Sequence, residues 1–236
     1  MDSLKALAID IDGTLTENGG GLVHLPAIQN LRNLERLGYK VIYVTGRSSI
    51  EALVLSIFSG TTKVAIGENG GVVSTGPVNH ILLGNKEECI KGYNILKKSI
   101  ETVELKNVFN RMTEVVLNRT FDLKKGQKIL EENQIDVSLT DSKFSFHINS
   151  SNVNKALGLS KALEILDLKP SETISIGDSE TDIPLFEFCG YSIALNHAED
   201  IVKNKANHVV SGSSGTGLVE ALDHIVLNFL SEVKNS

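Results

Sequence analysis

The chain lacks most of what marks an exported, membrane-bound or nucleic-acid-binding protein. Cys89 and Cys189 are its only cysteines, too few for a disulfide framework, and no Cys/His cluster has zinc spacing. No apolar run is long enough to span a bilayer. The N-terminus enters a charged strand within a few residues, which leaves no room for a secretory leader, so the expectation is a cytoplasmic protein. Asn118-Arg119-Thr120 matches a glycosylation sequon, which that expectation reduces to a chance match. Basic charge is also scarce. The 23 Lys and Arg against 29 Asp and Glu leave a net charge of −6, the wrong sign for a nucleic-acid footprint. There is no internal repeat, no low-complexity segment and no P-loop. Ser211–Gly217 is glycine-rich but has no lysine and does not match G-x-G-x-x-G, so it reads as a loop leading into a last helix over Leu218–Leu230.

What is present centres on Ala6–Leu15, A-L-A-I-D-I-D-G-T-L. Consecutive apolar residues are buried on both faces, which suits a central parallel strand. Asp10 and Asp12 then fall at its carboxyl end, where open α/β sheets place their ligands. Side chains two apart share a strand face, so both carboxylates reach one small site. They stay ionised together only beside a cation or by sharing a proton. Gly13 lets the chain turn sharply out of the strand. A calcium loop is a poor fit, because an EF-hand needs a third ligand before its glycine and a closing glutamate.

The same style continues downstream. Leu25–Leu37 predicts a helix with Pro26 at N1 and Gly38 at C′. Lys40–Val44 is a second strand ending in Thr45-Gly46, Ser48–Phe58 a helix, and Val64–Ile66 a strand before Glu68-Asn69-Gly70-Gly71, to which no chemistry is assigned. This alternation predicts a parallel sheet with right-handed crossovers. The middle differs. A helix opens at Asn85 with Glu88 three residues on, and the strands that follow alternate: Val115 and Leu117 interleave with Glu114 and Val116, and Phe144, Phe146 and Ile148 with Ser145 and His147. Period two predicts an antiparallel sheet with one buried and one open face. Roughly 82–150 therefore reads as a small α+β module, with Asp122–Asn133 as its second helix and a polar sheet face free to cover something. After residue 152 the first style resumes. Asn154–Leu166 is a helix, Glu172–Ile176 a strand ending in Gly177-Asp178, and Thr181–Phe188 a helix with Pro184 in its first turn.

Three core strands thus end alike, and parallel strands put those ends on one edge, which gathers Asp10, Asp12, Thr45 and Asp178 in one crevice. Asp182, one helical turn after Asp178, faces the same side. Lys155 opens the helix that returns from the insert, where dipole and cation both favour an anion. Oxygen ligands and a lysine suit phosphoryl chemistry with Mg²⁺. An acidic protein that binds phosphate must also neutralise its own carboxylates locally, most simply with a divalent metal.

D-x-D-G-T (Asp10, Asp12), T-G-R (Thr45-Gly46-Arg47), a helix-opening lysine (Lys155) and G-D-S-x-x-D (Asp178, Asp182) resemble the four ordered motifs of the haloacid dehalogenase-like (HAD) superfamily. Thr181 stands where that family more often has asparagine, a departure that leaves both aspartates in place. The insert between the second and third motifs resembles the large C2-type cap. Length and detail, including Asn110-Arg111 and Phe146-His147, are most similar to archaeal-type phosphoglycolate phosphatases. The resemblance implies a doubly wound, Rossmann-like α/β core over 1–81 and 152–236, with an α+β cap over 82–151. It implies that Asp10 is the nucleophile, Asp12 the general acid and base, and Thr45 and Lys155 phosphate ligands. Mg²⁺ would be held by Asp10, the Asp12 carbonyl and Asp178, with Asp182 as a further ligand or support. Arg111 and His147 either bind a distal carboxylate of the substrate or are ordinary polar residues.

The expected activity is hydrolysis of a small phosphorylated metabolite, phosphoglycolate first, with a sugar phosphate or a phosphorylated glycosyl-glycerate as the nearest alternative. A phospho-accepting signalling module is a different class, disfavoured by Asp12 and the cap; a phosphomutase would need a donor phosphoryl group. No nucleic-acid or membrane partner is expected. Oligomeric state is left open, a homodimer included.

Overall fold

The computed structural model describes residues 3–17 and 21–230. The core span assigned above also takes in residues 1–2, 18–20 and 231–236, which lie outside the described residues. In chain order the first half of the core runs β1 (Ala6–Ile9), α1 (Leu25–Arg36), β2 (Lys40–Val44), α2 (Ser49–Ser59) and β3 (Ala65–Gly67), then β4 (Val72–Gly76) and β5 (Asn79–Leu82). The insert contributes α3 (Lys86–Ser99), β6 (Val115–Leu117), α4 (Leu123–Glu132), β7 (Val137–Asp141) and β8 (Phe146–Ser150). The second half of the core is α5 (Lys155–Leu166), β9 (Thr173–Gly177), α6 (Ile183–Phe188), β10 (Tyr191–Ala194), α7 (Asp200–Lys203), β11 (His208–Val209) and α8 (Ser214–Phe229).

The core sheet has the order β11-β10-β9-β1-β2-β3-β4-β5. It is parallel from β11 to β3, and β4 and β5 extend it antiparallel. Those last two strands follow no pattern singled out in the sequence. Alternate strand residues go to opposite faces. Leu7, Ile9, Val41, Tyr43, Ile174 and Ile176 pack with α1 and α8, while Ala6, Ala8, Ile42, Val44 and Ile66 pack with α5 and α6. The sheet is therefore covered on both sides, which is why its strands read as apolar throughout.

The helices begin where capping chemistry puts them. Ser48 and Glu51 form a reciprocal capping box on α2, worth about 1 kcal/mol. At α3, Asn85 caps through the Glu87 N–H, and Glu88 pairs with Lys91 rather than with the cap. The Thr181–Phe188 helix divides into a single helical turn at Glu180–Asp182 and then α6. α8 starts four residues before the expected Leu218. Gly215, inside it, lies so close to α1 that a Cβ would overlap the His24 side chain. Gly215 serves close packing at the start of α1 and Gly217 close packing on Gly212 of the loop before α8, and their loop-like composition hides the first turn.

The insert's three-stranded sheet has the order β6-β8-β7, all antiparallel. Leu117, Leu139, Phe146 and Ile148 meet Cys89, Leu96 and Leu130 of α3 and α4 in a separate apolar cluster. The expected period-two pattern is present, but the second face is not open. His147 and Asn149 are buried as well, because that face lies over the carboxyl edge of the core sheet. β8 begins at Phe146, not Phe144, which sits half-exposed in the β7–β8 turn. The two connections between core and insert run side by side, with Asn85 N–H donating to Ser150 Oγ at 2.7 Å.

Candidate active site

Register fixes the floor of the site. Ile9 lies opposite Tyr43 and Ile176, so the next residues along β1, β2 and β9 leave the sheet together. A cavity of about 730 Å³ opens there, between the strand ends and the insert; Asp10, Asp12, Thr45, Lys155 and Asp178 line its floor, and Arg111 and His147 its roof.

On the floor, Lys155 is 2% exposed and donates to Asp10 Oδ1 and Asp182 Oδ1, each at 2.6 Å. Asn154 caps α5 through the Leu157 N–H, which sets Lys155 at the first helical position. Asp10, Asp178 and Asp182 each offer an oxygen within 4.8 Å of the others. Burial pushes the Asp10 carboxyl well above the ordinary aspartate pKa, against the pull of Lys155 and with Asp182 and Asp178 adding to the push. Burial alone would lower the Lys155 pKa, yet Asp10 and Asp182 hold it above the ordinary lysine value. One ammonium among three carboxylates leaves this floor short of positive charge.

The three aspartates are not equivalent. Asp182 is saturated: Oδ1 takes Lys155, and Oδ2 accepts from the N–H groups of Asp178 and Ser179 and from the Ser179 hydroxyl. It braces Lys155 and the turn that carries Asp178. Asp178 accepts from Thr14 Oγ1 at 2.9 Å and lies 3.1 Å from His197 Nε2. Gly13, at φ +88°, lets the loop after β1 pass against Asp178; a Cβ there would come 2.6 Å from its carboxylate.

Asp12 stands apart from that trio. Its carboxylate is gripped by Arg47, Nε and Nη2 each at 2.7 Å, and Arg47 also reaches Glu51 at 3.1 Å. The hydrogen bonds that Arg47 donates to Asp12 raise the Arg47 pKa. Thr45 is buried beside it and accepts from the Arg47 N–H at 3.1 Å. The motif T-G-R assigns Arg47 no role, because its target is separated from it by 35 residues, which no local pattern reveals.

The roof is a second buried charge cluster. Glu114 is completely buried and bonds His147 Nδ1 at 2.8 Å and Asn149 Nδ2 at 3.1 Å. Arg111 Nε lies 3.5 Å from Glu114 Oε1, an ion pair without hydrogen-bond geometry. Among the described residues, Arg111 Nε and Nη1 and Glu114 Oε1 are buried with no hydrogen-bond partner. Burial would raise the Glu114 pKa, but His147 and Arg111 together bring it below the ordinary glutamate value. Arg111 and His147 are therefore not surface polar residues. Asn69, which also lines the cavity, has both amide atoms buried and unpartnered.

Comparison with known proteins agrees with this geometry. A family model described as haloacid dehalogenase-like hydrolase matches residues 7–108 and 84–222. A protein of Nitrosopumilus maritimus named phosphoglycolate phosphatase is 52% identical over 97% of this chain and 99% of its own. A solved Thermoplasma acidophilum structure superposes with a TM-score of 0.82 at 24% identity, covering 95% of this chain and 99% of that one. A subclass IIB sugar phosphatase of the same superfamily gives 0.76 at 19%, over 94% and 98%. The structural likenesses speak for the fold; the sequence likeness, over nearly the whole chain, speaks for descent. This chain belongs to the haloacid dehalogenase-like hydrolase family.

Proposed function

We propose that this protein is a Mg²⁺-dependent phosphomonoesterase that hydrolyses a small phosphorylated carboxylate, with phosphoglycolate the best single substrate. The observation that carries the reading is the pairing of two buried sites across one cavity. The floor offers Lys155, Thr45 and a nucleophile to a phosphoryl group, and the roof offers a buried guanidinium with unpaired N–H groups to a second anion. The name of the Nitrosopumilus maritimus relative supports the same substrate.

The donor set fits a hard divalent cation. All candidate ligands are oxygens, and the floor's excess negative charge, felt in the raised Asp10 pKa, is what such an ion relieves. Asp10, Asp178 and the backbone carbonyl of Asp12 would hold it, with Asp182 as their brace. When bound, the ion supplies charge neutralisation at the phosphoryl oxygens.

In the first step an Asp10 oxygen attacks phosphorus and the ester P–O bond breaks, leaving an aspartyl-phosphate. Asp12 gives its proton to the departing alkoxide, which requires its carboxyl to swing from Arg47 to the ester oxygen. In the second step Asp12 takes a proton from water, the water oxygen attacks phosphorus, and the bond to Asp10 breaks to release phosphate. Lys155 and Thr45 hold the phosphoryl oxygens throughout, each such contact being worth about 3–4 kcal/mol.

One observation favours a second reading. The cavity of about 730 Å³ exceeds what a two-carbon ester fills, so a sugar phosphate is the competing substrate. Phosphate release from a panel holding phosphoglycolate and sugar phosphates, with Mg²⁺ and with chelator, separates the two. Metal-dependent turnover with the highest kcat/KM for phosphoglycolate is expected. A preference for sugar phosphates by orders of magnitude would overturn the substrate, and no turnover of any ester would overturn the activity.

A further inference from the structure

The turn Glu68-Asn69-Gly70 between β3 and β4 carries a buried charge that the chemistry above leaves unused. All three residues have positive φ, +55°, +54° and +101°, a region glutamate rarely adopts and keeps only where its surroundings enforce it. The core side supplies the enforcement. Glu68 N–H donates to the Arg47 carbonyl at 2.7 Å and Asn69 N–H to the Thr45 carbonyl at 3.1 Å. The turn is thus bonded directly to the loop that presents Thr45 to the phosphoryl site.

The Glu68 side chain points the other way, into the insert. Its carboxylate accepts from Met112 N–H at 2.8 and 3.0 Å, from Thr113 N–H at 2.7 Å and from Thr113 Oγ1 at 2.9 Å. Asn149 Nδ2 donates to its backbone carbonyl at 3.3 Å. Among the described residues no cation pairs with this carboxylate, so a buried charge is held by neutral donors alone, an expensive arrangement for simple cohesion. Burial, with Glu114 nearby, holds its pKa above the ordinary glutamate value. The clamped residues matter by position. Arg111 immediately precedes them and Glu114 immediately follows, and these two form the roof's charge pair.

We infer that Glu68 is a positioning residue for substrate selection: its clamp on Met112 and Thr113 sets where the Arg111 guanidinium stands relative to the Thr45 loop. Phosphoryl floor and anion-reading roof are then one measured span rather than two sites on independently placed modules. This rests on the phosphatase reading above.

The test compares phosphoglycolate with hydroxyethyl phosphate, which keeps the two-carbon frame and lacks the carboxylate. In Glu68→Gln the KM for phosphoglycolate rises by on the order of ten- to a hundredfold, the scale of a misplaced binding group. The kcat/KM for hydroxyethyl phosphate holds to within about twofold, because the floor is untouched. Thr113→Val, which removes one bond and keeps the shape, shifts KM the same way by less and adds nothing in the Glu68→Gln background. Amide exchange at Met112 and Thr113 quickens in Glu68→Gln by about tenfold or more. Equal losses on both esters would make Glu68 a structural residue only. Unchanged KM, or unchanged exchange at both amides, would remove the clamp. Wild-type protein that cleaves neither ester, with exchange in Glu68→Gln altered as described, would leave the clamp standing as a contact and refute the role in selection together with the phosphoglycolate reading, while sugar phosphates in the panel above would still test the phosphatase activity.

Discussion

Floor and roof face each other across the same cavity and are built on opposite terms. The floor is negative in excess and almost fully bonded, with Asp182 saturated, Lys155 shared between two carboxylates, and Asp178 held by Thr14 and His197. The roof is richer in cationic groups and incomplete, with Arg111 and Glu114 each keeping buried atoms that have no hydrogen-bond partner. A fully bonded cluster is preorganised and costs no rearrangement at the moment of reaction. An unpaired buried donor favours any ligand that completes it and penalises one that does not. On the proposed reading the floor would run chemistry common to many esters, and the roof would choose among them.

The sharpest way to break the comparison is at the proposed nucleophile. Asp10→Asn should lower kcat for every ester by roughly four orders of magnitude or more, as read by phosphate release. Its melting temperature should stay near that of wild type, since one carboxylate leaves an over-supplied group. A selective loss, confined to carboxylate-bearing esters, would merge floor and roof into one site. Lys155→Met comes next. It removes the ammonium shared by Asp10 and Asp182, and breaking such a pair should cost about 3–5 kcal/mol in urea denaturation besides a loss of hundreds-fold or more in kcat. Stability unchanged at neutral pH would mean that the carboxylates are neutralised in another way.

At the roof the effects are smaller and selective. Arg111→Met should raise the KM for phosphoglycolate by about ten- to a hundredfold, the worth of a charged hydrogen bond. Hydroxyethyl phosphate should be indifferent to the change; parallel losses on both would deny Arg111 its role as a reader. The smallest effect concerns pH. The folded pKa of Glu114 is depressed, so its contribution to stability is present above its unfolded pKa and fades as pH falls through the folded value. Glu68, raised, contributes with the opposite sign: its stabilisation is present below its unfolded pKa and fades as pH rises through the folded value. Glu114→Gln should therefore flatten the acid limb of the denaturation midpoint against pH, while lowering stability at neutral pH by leaving His147 and Arg111 without their partner. An acid limb of unchanged steepness would assign it to other carboxylates.

Much of the floor was legible because it is made by strand ends. Apolar runs that stop at Asp10, Thr45 and Asp178 announce both a parallel sheet and the edge where its ligands sit, and parallel register does the rest. Lys155 was legible through the helix start it occupies. What could not be read is set by long-range pairing. Arg47 meets Asp12, His197 meets Asp178, and Glu68 meets a backbone 44 residues away; none of these has a local period or spacing. β4 and β5 escape a reading of the sequence for another reason. Val72–Gly76 and Asn79–Leu82 are short, joined through a tight turn, and lie on the antiparallel margin of the sheet, where the long apolar signature of a doubly covered strand fades.

The acceptor carboxylate at residue 68 belongs to the core, and the amides it engages belong to the insert. A chimera that carried a relative's insert on this core would inherit the reader of one protein and the spacer of another. Specificity in such a molecule is not portable with the insert alone. Transplanting it requires the turn after β3 to travel too, so that a short core segment is, for purposes of exchange, part of the lid it supports.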